Sequence, residues 1–172
     1  VSKTDDTTSC DIVVIQKNPE DKLGEIPDDN LRTFCIKNGW VNSIAGSQCV
    51  ILDAGQKATT LSYNDYFNEL KDLTGIDNFP NLESLNLGFC TSMKKLDISG
   101  LHKVKDLTFS GAKVCEEYNF GDNPIVDFYP GGGARTAVSA ENLKIITSVM
   151  ESLTLSYWGN KDNDKVTSID VS

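Results

Sequence analysis

The chain has 172 residues, 16 basic against 25 acidic side chains, a net charge of −9 and 39% hydrophobic residues. It is long enough to bury a core without covalent staples, and its acidic surface repels phosphate backbones and anionic lipid, which argues against a nucleic-acid partner. The longest basic run is Lys94-Lys95, and no apolar stretch approaches the roughly 18 residues of a membrane span.

Residues 1–9, VSKTDDTTS, read as a polar tether of the kind that follows a removed leader. DIVVIQ (11–16) is a β-branched run that predicts a short strand, and 17–24 is loop. A helix is predicted over 27–38. Asp28 and Asp29 can cap its first N–H groups, Leu31, Phe34 and Cys35 share one face, and Asn38-Gly39 stops it. Residues 40–60 predict loop with short strands, Val41 to Ala45 and Cys49 to Leu52, around Gly46-Ser47.

Repetition begins near Leu70. LESLNL (82–87), MKKLDI (93–98), VKDLTF (104–109) and the weaker CEEYNF (115–120) start eleven residues apart, with apolar residues (Cys115 in the last) at positions one, four and six. In a strand the two outer residues of L-x-L turn one way and the middle one the other. Leu85, Leu96, Leu107 and Tyr118 therefore face a core with Leu87, Ile98, Phe109 and Phe120, and the polar Asn86, Asp97, Thr108 and Asn119 face out. A helix is disfavoured, because Gly88, Gly100, Gly111 and Gly121 would each cost it about 1 kcal/mol. Two eleven-residue units make one leucine-rich repeat of 22, so the spacing predicts an α/β repeat fold, a right-handed leucine-rich-repeat solenoid whose coils close a core only by stacking. Beyond 121 the pattern loosens: VDFY (126–129) predicts a strand edge, 130–136 a loop, and Ser139 a cap for a short helix with Leu143, Ile146 and Met150 on one face. SLTLS (152–156) and VTSIDVS (166–172) return to strand.

Three stretches carry a family resemblance: IPDDNLRTFCIKNG (26–39), LKDLTGIDNFPNLESLNL (70–87), and the half-repeats MKKLDIS (93–99) and VTSIDVS (166–172). They resemble the helical N-terminal cap, lead-in and repeats of leucine-rich-repeat proteins exported by Bacteroidetes, many of them surface lipoproteins. The residues themselves give a tether with a short strand at 1–24, and the resemblance implies a cap at 25–69 and repeats at 70–172 with an irregular insertion at 130–150. It also implies an extracellular or outer-membrane-anchored location, with a lipid anchor upstream. A calcium loop common in that group does not carry over, since Asp53 is the lone carboxylate in GWVNSIAGSQCVILDAGQ (39–56). The turn asparagine expected after each strand is replaced by Cys90 and Ala112, while Asn123 follows the fourth unit.

Chemistry-bearing residues are sparse. Cys10, Cys35, Cys49, Cys90 and Cys115 are odd in number and form no CxxC, so they read as buried thiols or as an internal disulfide with at least one cysteine over; zinc is not expected. The single histidine, His102, lies in a predicted turn. Acid pairs such as Glu116-Glu117 are adjacent in sequence, and PGGGAR (130–135) lacks the Lys-Ser/Thr of a phosphate loop. No enzyme, metal or cofactor is expected. Recognition remains, through the outward centres Ser84, Asn86, Asp106, Thr108, Asp127, Tyr129, Ser152 and Thr154. Tyr129, Arg135, Tyr157 and Trp158 are the side chains best suited to a hot spot. The expected function is a non-catalytic cell-surface or secreted module binding a protein or glycan; the alternative is a structural spacer without a dedicated ligand.

Overall fold

In the computed structural model the described residues are 21–65, 68–88, 90, 92–110, 115–125, 127–128, 142–148, 152–153 and 168–172. The predicted first helix forms as α1 (Asp29–Lys37). Asp28 is its N-cap: one carboxylate oxygen accepts from the N–H groups of Asn30 and Leu31, each at 2.9 Å. The chain leaves α1 through Gly39, whose φ of 68° is cheap only for glycine. Leu31 and Cys35 are fully buried. The next residues form a hairpin, β2 (Val41–Ala45) and β3 (Gln48–Ile51), turning at Gly46-Ser47. β1 (Lys22–Glu25) pairs with the other side of β3, so all three strands are antiparallel. A five-residue helix, α2 (Asp53–Lys57), follows.

The eleven-residue units are extended, as their spacing predicts. β4 (Thr60–Tyr63), β5 (Ser84–Gly88) and β7 (Asp106–Ser110) form one parallel sheet; β6 (Lys95–Asp97), β8 (Glu117–Gly121), β10 (Asn142–Thr147) and β12 (Ser168–Val171) form another. β9 (Asp127–Phe128) pairs in parallel with β11 (Ser152–Leu153). One hydrophobic core runs from Ile26 to Ile145, with Phe79, Leu85, Leu96, Phe109, Tyr118, Phe120 and Phe128 among its largest members. Leu107 is only half-buried and packs at the core's margin.

This architecture corrects the expected fold. The domain is a small α/β unit with mixed parallel and antiparallel sheets and two short α-helices among the described residues, not a right-handed leucine-rich-repeat solenoid with a helical N-terminal cap. Alternating apolar spacing settles which side chains turn inward, but not how strands are shared among sheets. Here successive units are dealt alternately to two separate sheets, and among the described residues no helix lies between the strands from 84 to 121. The helix expected to act as a cap packs on an antiparallel sheet and contributes to the common core. The resemblance to exported Bacteroidetes repeat proteins is corrected with the fold, and so is the function of a leucine-rich-repeat interaction module.

One local expectation also changes. Residues 142–147 form a strand rather than a helix. Ile145, Ile146 and Thr147 are β-branched, and β8 and β12 offer ladders on both sides, which outweighs the helical spacing of Leu143 and Ile146. Asn123, which follows the fourth unit, is fully buried and its amide is fully used. Its Oδ1 accepts from Val104 N–H at 2.9 Å, and its Nδ2 donates to the carbonyls of Ile98 (2.9 Å) and Phe120 (2.8 Å). The strand expected at 11–16 lies outside the described residues.

Candidate functional site

The parallel register of β4, β5 and β7 places short polar side chains in two rows. Thr60, Ser84 and Asp106 stand opposite one another, and so do Ser62, Asn86 and Thr108. The alternate rows, Leu61-Leu85-Leu107 and Tyr63-Leu87-Phe109, supply the inward face. All of the polar six are exposed except Ser84, which is half-buried. At one margin, Lys105 Nζ lies 2.8 Å from Glu83 Oε2, and Lys103 Nζ donates to Asn81 Oδ1 at 2.6 Å. The Lys105 hydrogen bond holds the Glu83 carboxyl below its usual range. At the opposite margin the face meets an open groove of about 510 Å³ between α1 and β4. Phe34 and Tyr63 contribute its aromatic lining, with ring centroids 5.5 Å apart.

Of the residues expected to bind a ligand, Asn86, Asp106 and Thr108 are thus brought together on one surface. Asp127 lies on β9 with its backbone opposite Ser152; its side chain lies outside the described residues, as do Tyr129, Arg135, Thr154, Tyr157 and Trp158. Thr60 and Ser62 belong to the same surface but escape the sequence reasoning. The alternation Leu61-x-Tyr63 is their only local signal, and two apolar residues are too few to mark a strand.

The second sheet has a different exterior. Lys95 Nζ lies 2.8 Å from Glu117 Oε1 and 3.1 Å from Asp97 Oδ2. Asp97 is half-buried rather than fully outward, and Ser99 and Asn119 also donate to it. Burial works to raise its carboxyl, and hydrogen bonds from Ser99, Lys95 and Asn119 outweigh that and hold it below the ordinary aspartate range. Beside these residues lies an open groove of about 620 Å³. Its lysines (Lys71, Lys94, Lys95) and aspartates (Asp72, Asp77, Asp97) balance in charge.

Among the described residues the cysteine thiols are held in unreactive settings, while Cys10 lies outside those residues. Cys35, Cys49, Cys90 and Cys115 are buried and free. Burial pushes the Cys35 and Cys90 thiols up to about 12 and Cys115 to about 11, so they stay protonated at neutral pH. His102 is exposed, with Nδ1 2.6 Å from Asp122 Oδ1, its one hydrogen-bond partner among the described residues. Within the described residues no three His, Cys, Asp or Glu side chains are grouped to hold a metal ion, and no helix is long and apolar enough to cross a membrane. No protein-family model matches the chain, and no curated protein matches it significantly.

Proposed function

We propose that this is a non-catalytic recognition domain that engages a polypeptide through the outward face of β4, β5 and β7. One observation carries the reading: a parallel sheet left uncovered on one side and lined there by Thr60, Ser62, Ser84, Asn86, Asp106 and Thr108. Parallel sheets are ordinarily covered on both faces, so an open one is a surface available to a partner. Its hydroxyl, amide and carboxylate groups can exchange hydrogen bonds with a peptide backbone. Short side chains also lose little rotamer freedom on contact. The net charge of −9 favours a basic partner by steering. A sugar ring would want an aromatic platform, and the six residues of this face include none.

A photo-crosslinking residue placed at position 86, with a matched control at the exposed Lys57 on α2, tests this against mixed basic and mixed acidic peptide pools. Capture of basic peptides from position 86 should exceed that from position 57 by at least about fivefold, roughly 1 kcal/mol, and Asp106→Lys should abolish the excess. Equal capture from both positions would support the spacer reading instead.

A further inference from the structure

Two rows cross the four-stranded parallel sheet in register. On the outward side Lys95 stands opposite Glu117, Glu117 opposite Lys144, and Lys144 opposite Asp170. The charges alternate in sign from strand to strand, and Lys95 with Glu117 closes to an ion pair of 2.8 Å. On the inward side the row is Leu96, Tyr118, Ile145, Val171. The first three are completely buried, whereas Val171 is 57% exposed.

β12 is the end strand of this sheet among the described residues, paired with β10 on one side only. Among the described residues both rows therefore stop on it. The outward row ends on the exposed carboxylate of Asp170, with no cation opposite it on its far side among the described residues. The inward row ends on an apolar side chain left exposed where its three counterparts are buried. An edge strand offers a ladder of unpaired backbone groups. A carboxylate on that edge repels acidic segments and admits one that brings a positive charge, so it selects as well as attracts.

We propose that the β12 edge accepts an extended polypeptide segment as a fifth parallel strand, with a lysine or arginine opposite Asp170 and an apolar residue opposite Val171. The sheet already uses this cation-then-apolar pair twice, as Lys95-Leu96 and Lys144-Ile145, in the same register. Backbone hydrogen bonds would supply general affinity, and the two side-chain positions would supply the choice of partner. The site lies on the other sheet from the polar face proposed above and stands or falls separately.

The test measures fluorescence anisotropy of two labelled peptides against the full chain. One copies residues 94–99, KKLDIS, and the other replaces its second lysine by glutamate. The wild type should prefer the lysine peptide by about fivefold, the scale of one favourable against one unfavourable cross-strand pair. Asp170→Lys should invert that preference, and Val171→Ser should weaken both peptides. Comparing two peptides on the unaltered chain keeps the first result independent of variant folding. Equal binding of the two peptides by the wild type, or no binding, would overturn the proposal. Concentration-dependent self-association abolished by Asp170→Lys, with no peptide bound, would also overturn it and assign the edge to a second copy of the chain.

Discussion

The backbone N–H of Lys71 donates to Oδ2 of Asp28 across 2.9 Å, joining a loop to a helix start 43 positions away in sequence. Asp72 N–H reaches the same oxygen at 3.2 Å, while Oδ1 serves the N–H groups of Asn30 and Leu31. One carboxylate thus satisfies four backbone donors and ties α1 to the segment leading into the parallel sheet. Asp28→Ala should lower unfolding stability by about 2–4 kcal/mol, a cap plus charge-assisted bonds lost together. Asp28→Asn can keep the cap but turns an NH2 toward Lys71 and Asp72, so it should fall between the two. Urea unfolding of the three proteins measures this, and wild-type stability in the alanine variant would contradict it.

Asn123 is the polar residue at the heart of the core, and its amide is matched atom by atom. Asn123→Ala should cost about 2–4 kcal/mol, since Val104 N–H loses its partner in a buried site and the Ile98 and Phe120 carbonyls each lose one of two hydrogen bonds, the other coming from Leu101 N–H and Asn123 N–H. Asn123→Asp tests the polarity of that site. A carboxylate would face the Ile98 and Phe120 carbonyls, so the folded state would favour the protonated acid and raise its pKa. The stability of the aspartate variant, relative to wild type, should therefore be greatest below the unfolded pKa of about 4 and decline as pH rises. A pH-independent difference would show that the site relaxes or admits water.

Leu96 and Asp97 are neighbours with separate roles. Leu96→Ala should cost about 2–5 kcal/mol through lost burial and a cavity. Asp97, expected from sequence to be a solvated side chain, accepts from Lys95, Ser99 and Asn119. Asp97→Asn should therefore cost about 1 kcal/mol at neutral pH. Its depressed folded-state pKa fixes the sign of the pH dependence. The contribution is fully present above the unfolded pKa of about 4 and is lost as pH falls through the folded value. Stability profiles of wild type and Asp97→Asn should converge toward acid pH; parallel profiles would remove Asp97 from the acid response.

The thiols provide a kinetic readout of the core. Cys35, Cys90 and Cys115 are buried with strongly raised pKa values. Their modification by a thiol reagent should require opening of the fold and should accelerate as urea approaches the unfolding midpoint. Rapid labelling of these three in the native protein at neutral pH would contradict their placement.

Much of the inward-outward pattern is legible in the sequence. A strand's period of two is a local property, so the spacing of Leu85, Leu87, Leu96, Ile98, Phe109, Tyr118 and Phe120 is enough to turn each toward the core. The cap of α1 is equally local, because Asp28 needs only the next few N–H groups to act. The sharing of strands among sheets is not local. It depends on ladders between residues more than twenty positions apart, and these make residues 142–147 a strand, bring Thr60 and Ser62 beside Asn86 and Thr108, and yield a mixed α/β domain in place of the expected solenoid. The same distant pairing sets the alternating charges from Lys95 to Asp170 in one row, an order that no stretch of sequence displays because each charge sits on a different strand.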